Sequence, residues 1–394
     1  MSEEIKKEQY VEVDKNLMIE TSFPETDVRF HSVREEPFDL YNFYDPKNQP
    51  IFRRLPEDVA EATSEGVAKL SRETAGGRVR FSTDSQYILI KAEMPVIGRS
   101  SHMTLAMSAG FDLYEDYETG ESRYHRVFMP PYKMEGGYEQ IIRFGSRKLR
   151  HFTINFPIHS VVSELYVGLQ EDAVLGGGLK YRNEKPIIIY GSSIVHGTAA
   201  TRPGLVYTNI LSRYLNMNVI NLGFSGRALA EPAITDYLSK QDMLLFVCDY
   251  DHNAPNPEYL RQTHLPFYRK MREAQPELPI IMVTRPNVAT NGAWAMDRKD
   301  VVIDTYRTAR DEGDRRVWYV DGESFFLGKH ENECTMDGVH PNDLGFTLMA
   351  DGIEAEIRRA LRQCGISIDC RQTSRHHPGG AGVPWRQRHR GACP

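Results

Sequence analysis

Two hydrophobic rhythms divide the chain. Up to about Gln170, short apolar and aromatic runs with interleaved polar positions are separated by turn residues. They read Val79-Arg-Phe-Ser, Tyr87-Ile-Leu-Ile-Lys, Met103-Thr-Leu-Ala-Met, Phe111-Asp-Leu-Tyr, Tyr124-His-Arg-Val-Phe, Gln140-Ile-Ile-Arg-Phe, Phe152-Thr-Ile-Asn-Phe and Leu165-Tyr-Val-Gly-Leu. Turn signals recur at intervals of roughly 8–12 residues, Glu118-Thr-Gly among them, and predict an antiparallel β-sandwich or jelly roll over residues 25–175. Only the stretch from Glu57 to about Ser64, just after Pro56, reads as helix in this half. Residues 1–24 read as a loose lead-in.

A linker over residues 176–186, opened by Gly176-Gly-Gly and polar through Tyr181-Arg-Asn-Glu-Lys, changes the rhythm to strand, helix, strand, helix. Ile187–Tyr190, Val219–Leu222, Met243–Cys248, Ile280–Thr284 and Val317–Val320 are nearly continuous apolar runs. Between them, helical spacing marks Leu205–Leu215, a segment starting near Pro232, Asn256–Ala274, Val301–Glu312 and about Asp343–Leu361. Strands apolar on both faces and alternating with helices predict a five-stranded, doubly wound parallel sheet over residues 187–362. In such sheets ligands bind outside the carboxyl ends of the strands.

Several of those ends carry chemistry-bearing residues. After the first strand comes Gly191-Ser-Ser-Ile-Val-His-Gly, a pattern shared by phosphate loops, acyl-transfer nucleophiles and plain tight turns. A phosphate loop needs a Lys followed by Ser or Thr after its second glycine, whereas Thr198-Ala-Ala follows Gly197. Gly223 and Gly226 lack the third glycine of a dinucleotide fingerprint. A serine nucleophile needs a base, and the base needs a carboxylate to hold its tautomer. Asp337-Gly-Val-His340, just before the last helix, offers both on one short loop. The same four residues would equally serve a plain loop leading into a capped helix. Val195 stands where the α/β-hydrolase elbow Gly-x-Ser-x-Gly has its second glycine, so that elbow is not met.

Taken together and in order, Gly191-Ser-Ser193, Asn221-Leu-Gly-Phe-Ser-Gly226, Asp249-Tyr-Asp-His-Asn253 and Asp337-Gly-Val-His340-Pro resemble the four blocks of the SGNH (GDSL) hydrolases. Gly110-Phe-Asp-Leu-Tyr114 resembles the Gly-x-Asp-Leu-Tyr signature of a β-rich domain that precedes this hydrolase in one subgroup. The resemblance covers most of residues 25–362. It implies Ser193 as nucleophile, His340 as general base and Asp337 as the residue orienting His340. The backbone N–H groups of Ser193 and Gly226 and the amide of Asn253 would form the oxyanion hole. Two departures stand out: Ser192 replaces the Asp of many relatives, and the third block reads Asp-His-Asn-Ala rather than Gly-x-Asn-Asp.

The implied reaction is ester hydrolysis through an acyl-enzyme, with neither cofactor nor metal. A sandwich ahead of the catalytic part is also similar to the layout of carbohydrate esterases, which implies a small-molecule or carbohydrate ester as substrate and acetyl as the acyl group. A short-chain lipase or arylesterase, a thioesterase, and a catalytically inert carbohydrate-binding protein stay open. Arg202 and His196 are weaker substrate-binding candidates, with a satisfied loop arginine and a pocket wall as their alternatives. Asp249, Asp251 and His252 include metal-ligand types but lack a distant fourth ligand. Asp112 and Glu115 read as a solvated strand edge.

Composition narrows the partners. A formal charge of −6, with no basic stripe interleaved with aromatics, argues against nucleic acid. No run of about 18 apolar residues could span a membrane, and the polar start Met-Ser-Glu-Glu-Ile-Lys-Lys-Glu is no secretory signal, so a cytoplasmic location is expected. Five cysteines without a Cys-x-x-Cys pair suit neither a disulfide framework nor a zinc site. Residues 363–394 read as a disordered tail, since the last two dozen carry five Arg and no acid.

Overall fold

The structure, a computed structural model, describes residues 19–287, 292–328 and 330–368. Its N-terminal half is two antiparallel sheets packed face to face. One runs in the order β1 (Val28–Ser32), β9 (Glu164–Gln170), β4 (Tyr87–Glu93), β7 (Gly137–Arg143). The other runs β10 (Leu175–Gly177), β3 (Arg78–Thr83), β8 (Arg150–Asn155), β5 (Phe111–Asp116), β6 (Ser122–Phe128), with β2 (Asp39–Tyr41) also paired to β3. Alternation decides what each face buries. Val79, Phe81, Phe111, Leu113, Phe152 and Ile154 meet Ile88, Ile90, Ile142 and Val167 between the sheets. Each such side chain taken out of water stabilises by roughly 1.5–3 kcal/mol. The opposite face of β3 is not solvated: Arg78 and Arg80 are buried against the C-terminal half, where Arg78 binds Asn209 and Val219.

Three local expectations change. Met103–Met107 is not a strand; Thr104 Oγ1 accepts from Met107 N–H at 3.1 Å and caps the short helix α3 (Leu105–Ser108). The predicted helix is α1 (Glu57–Thr63), and Ser64 at once caps a second, α2 (Glu65–Leu70). The glycine triplet expected to be a joint contributes Gly176 and Gly177 to β10.

The C-terminal half is a five-stranded parallel sheet ordered β12 (Val219–Gly223), β11 (Ile187–Gly191), β13 (Leu245–Asp249), β14 (Ile280–Val283), β15 (Val317–Val320). Ile187 and Ile189 point to one face, under α5 (Tyr207–Leu215) and α9 (Asp343–Gln363). Ile188 and Tyr190 point to the other, under α6 (Pro232–Ser239), α7 (Pro257–Ala274) and α8 (Ala293–Asp311). Helix α8 starts eight residues before the predicted Val301.

The chain ends hold more than expected. Glu20, in the supposed lead-in, binds Arg143 at 2.9 Å. Beyond α9, Ile366 and Ile368 pack on the same core as α9, so the segment just after Gln363 is docked. The arginine-rich stretch Arg371–Pro394 and residues 1–18 lie outside the described residues. No helix among the described residues is long and apolar enough to cross a membrane.

Candidate active site

Strand register brings three loops to one level. Gly191 at the end of β11 pairs with Gly223 on one side and Asp249 on the other, so these three adjacent strands finish together. The chain then folds tightly into α4 (Ser193–His196), capped by Ser192, whose Oγ accepts from Ile194 N–H at 3.2 Å. Two glycines make room for this. A Cβ on Gly191 would sit 2.0 Å from the Asp249 carbonyl oxygen, and one on Gly223 would sit 2.1 Å from His196 N. Ser193 is therefore presented at a crowded strand-to-helix turn, at the level where β12 and β13 release their loops.

Opposite it lies the loop before α9. Asn342 Oδ1 caps that helix by accepting from Leu344 and Gly345 N–H, and Gly338 takes φ +82°, a left-handed value that costs glycine little. The loop is tightened by Asp337 itself, whose Oδ1 accepts from Val339 N–H at 3.0 Å and His340 N–H at 2.7 Å. Its Oδ2 lies 2.7 Å from His340 Nδ1, and His340 Nε2 lies 2.9 Å from Ser193 Oγ. Partial burial raises the Asp337 carboxyl pKa, but the His340 backbone and ring bonds and the Val339 bond outweigh it and hold it at about 2. An ionised carboxylate at Nδ1 places the ring proton there and leaves Nε2 as acceptor toward the serine. A serine–imidazole–carboxylate line in this order can move a proton off the hydroxyl.

Two more donor groups border Ser193. Phe224 to Arg227 is a turn closed by Arg227 N–H on the Phe224 carbonyl at 2.9 Å, with Gly226 at φ +68°. Asn253 uses one amide proton on that same carbonyl at 3.0 Å, leaving a second proton for another acceptor. Ser193, Gly226, Asn253 and His340 line one open cleft of about 530 Å³.

Comparison with known proteins gives the family. Residues 184–358 match the GDSL-like lipase/acylhydrolase family, and residues 28–175 match the family described as the N-terminus of SGNH-hydrolase-type esterases. The chain is a GDSL-type ester hydrolase. A candidate GDSL-like lipase from Bacteroides ovatus shares the fold with a TM-score of 0.77 at 24% identity, over 85% of this chain and 98% of that one. The salicylyl-acyltransferase SsfX3 of a tetracycline biosynthetic pathway does so with a TM-score of 0.70 at 18% identity, over 87% and 99%. An acetyl xylan esterase, Est2A from Butyrivibrio proteoclasticus, gives 0.55 at 12%, over 86% and 99%. No curated protein matches the sequence.

The β half of this hydrolase is not a bystander, since Leu70, Met103 and His159 join the cleft wall. His252 stands there too, kept neutral because burial, then Arg285 and His340, depress its pKa to about 3. Arg202 and His196 are not placed to hold substrate. Arg202 Nη1 binds Asp112 at 2.7 Å and its guanidinium lies 3.9 Å over the Tyr124 ring, which makes it a tie between the halves. His196 is fully buried under Ser225 and Glu73. Asp112 is no solvated edge either: it is fully buried and accepts from Asn155, Arg202 and the Gly204 amide. Asp249 and Asp251 do not gather with His252. Instead Glu73, His159 and His196 bring ligand-type atoms within 4.8 Å of one another, a grouping that no local sequence signal marks. A separate cavity of about 200 Å³ between the halves, lined by Arg78, Arg80 and Tyr181, contains none of the cleft residues.

Proposed function

We propose that Ser193, His340 and Asp337 carry out acyl transfer to water. His340 Nε2 takes the hydroxyl proton as Ser193 Oγ attacks the ester carbonyl. Asp337, through Nδ1–H, stabilises the imidazolium that forms. The amides of Ser193 and Gly226 and the free Asn253 proton meet the developing oxyanion, three neutral donors that bring no charge of their own. As the C–O bond breaks, His340 returns the proton to the leaving alcohol. It then deprotonates a water that attacks the acyl-enzyme and releases the acid and Ser193. The observation that carries this reading is the 2.9 Å contact between Ser193 Oγ and His340 Nε2, with Asp337 behind it at 2.7 Å.

The cleft walls support a reading of the substrate class. Thr198, Ser225 and His159 bring hydroxyl and imidazole groups to the cleft wall, beside the apolar side chains of Leu70 and Met103. That suits a short acyl group on a polar alcohol, and we take the enzyme to be an acetylesterase of O-acetylated carbohydrate. The shared fold with an acetyl xylan esterase is consistent with this, as an analogy of fold. We also take residues 25–175 and 187–362 as its two domains.

The test is a series of 4-nitrophenyl acetate, butyrate and octanoate, followed by acetylated xylo-oligosaccharides. Rates should fall steeply with acyl length, and acetate should be released from the sugars. Preference for octanoate would move the enzyme to the lipases.

A further inference from the structure

Behind the cleft, five side chains close a ring of hydrogen bonds that spans both halves of the molecule. Glu73 follows α2 and His159 follows β8, both in the β half, whereas His196 and Thr198 follow the nucleophile turn and Ser225 precedes Gly226. Glu73 Oε2 lies 2.7 Å from His159 Nδ1 and 3.2 Å from His196 Nε2. His159 Nε2 meets Thr198 Oγ1 at 3.2 Å, His196 Nδ1 meets Ser225 Oγ at 3.1 Å and Ser225 N–H at 3.4 Å, and the two hydroxyls are 3.5 Å apart.

The donors and acceptors fix the tautomer of His196. His196 Nε2 faces only acceptors, Glu73 Oε2 and the Ile158 carbonyl at 3.3 Å, so it carries the proton. Nδ1 is then the acceptor that the Ser225 N–H requires. His159 likewise donates from Nδ1 to Glu73, and its Nε2 meets the Thr198 hydroxyl. The Glu73 carboxylate is the acceptor shared by the two rings. Burial raises its carboxyl pKa, but bonds from His159 and His196 more than offset that and hold it well below the usual range. His196, fully buried, is depressed to about 3, first by burial and then by the neighbouring His159 and Arg54.

We propose that Glu73 is a positioning residue for the oxyanion side of the active site. It rests on the Ser193 mechanism above and adds that the β half sets its geometry. Ser225 is the last residue before the Gly226 amide, so anchoring its N–H and hydroxyl on His196 fixes the peptide plane that aims that amide. Glu73 in turn fixes His196 and, through His159 and Thr198, the far side of the same hydroxyl. A metal ion among Glu73, His159 and His196 fits less well. Binding at His196 Nε2 would move the proton to Nδ1, where it would confront the Ser225 N–H.

The test compares kcat and KM for 4-nitrophenyl acetate in the full chain carrying Glu73→Ala, Glu73→Gln or Ser225→Ala, with metal content measured on the wild type. Glu73→Ala should lower kcat by about 30–100-fold with KM changed less than twofold, since sub-ångström misplacement of catalytic groups costs on that order. Glu73→Gln, which keeps an acceptor oxygen for both imidazoles, should recover most of it. If Glu73→Ala does not fold, Ser225→Ala decides, with an expected loss of about three- to tenfold in kcat alone. A folded Glu73→Ala of wild-type kcat, a Ser225→Ala of wild-type kcat, or one equivalent of zinc in the purified enzyme would overturn the proposal. Ser193→Ala run alongside separates the two readings: if it stays active the mechanism is wrong, whereas if it is dead the outcome bears on Glu73 alone.

Discussion

Asp112→Ala is expected to loosen the joint between the two halves. In the folded enzyme the Asp112 side chain is fully buried and accepts three bonds: from Asn155 Nδ2 at 2.7 Å, Arg202 Nη1 at 2.7 Å and Gly204 N–H at 2.8 Å. Removing the carboxylate takes this acceptor from a largely buried guanidinium, from the Asn155 side-chain amide and from the Gly204 N–H, leaving the guanidinium the Tyr114 hydroxyl but no counter-charge. Breaking one side of a buried ion pair costs about 3–5 kcal/mol, mostly through the charge left behind. For a protein of this size that is a melting point lower by roughly 4–6 °C. The assay is urea unfolding of wild type, Asp112→Ala, Arg202→Met and the double variant. The double variant should lose less than the two single losses added together, because neither charge is then stranded. A loss below about 1 kcal/mol in Asp112→Ala, or strict additivity, would refute the tie.

Other outcomes can be checked independently. Asn253→Ala should cut kcat by roughly 10²–10³ with little change in KM, as deletion of one oxyanion donor does, and a drop below threefold would remove Asn253 from the site. Burial depresses His196 and His252 to about 3 and His264 to about 4, against 6.5 for a free histidine. The unfolded chain then binds protons that the folded chain refuses, so stability falls as pH drops below 6.5. The slope is about 1.4 kcal/mol per pH unit for each histidine, readable as melting temperature between pH 7 and 5. Truncation after Gln363 should lower the melting temperature by several degrees, because it removes the packed Ile366 and Ile368, and an unchanged melting temperature would place them outside the core.

Much of the architecture was legible in the sequence because burial leaves a local trace. Ile187–Tyr190 is apolar on every side chain because both faces of β11 are covered, and Phe111-Asp-Leu-Tyr alternates because β5 has a core face. The polar side of that alternation misled. Asp112, Arg78 and Arg80 look like solvent positions until the second half of the molecule covers them, and no local pattern reports that. Met103–Met107 failed for a nearer reason: Thr104 caps a single helical turn too short to show a period. At the site, Ser193, Asp337 and His340 stand out in the sequence through the resemblance of four ordered blocks, and the structure brings the three side chains within hydrogen-bond distance. Glu73 and His159 do not stand out, since they reach His196 from 123 and 37 positions away in the numbering and sit in no motif. For His196, of the two readings open in the sequence, burial against Glu73 and Ser225 favours the structural one, which nearness to Ser193 in sequence does not reveal.

The central claim is that Ser193 becomes acylated. Its most direct test is fluorophosphonate labelling of the native enzyme with peptide mapping of the adduct, repeated on Ser193→Ala. One label per chain on the Ser193 peptide, lost together with esterase activity in the variant, is the expected result. Label on another residue, or hydrolysis of 4-nitrophenyl acetate by Ser193→Ala at the wild-type rate, would contradict the account.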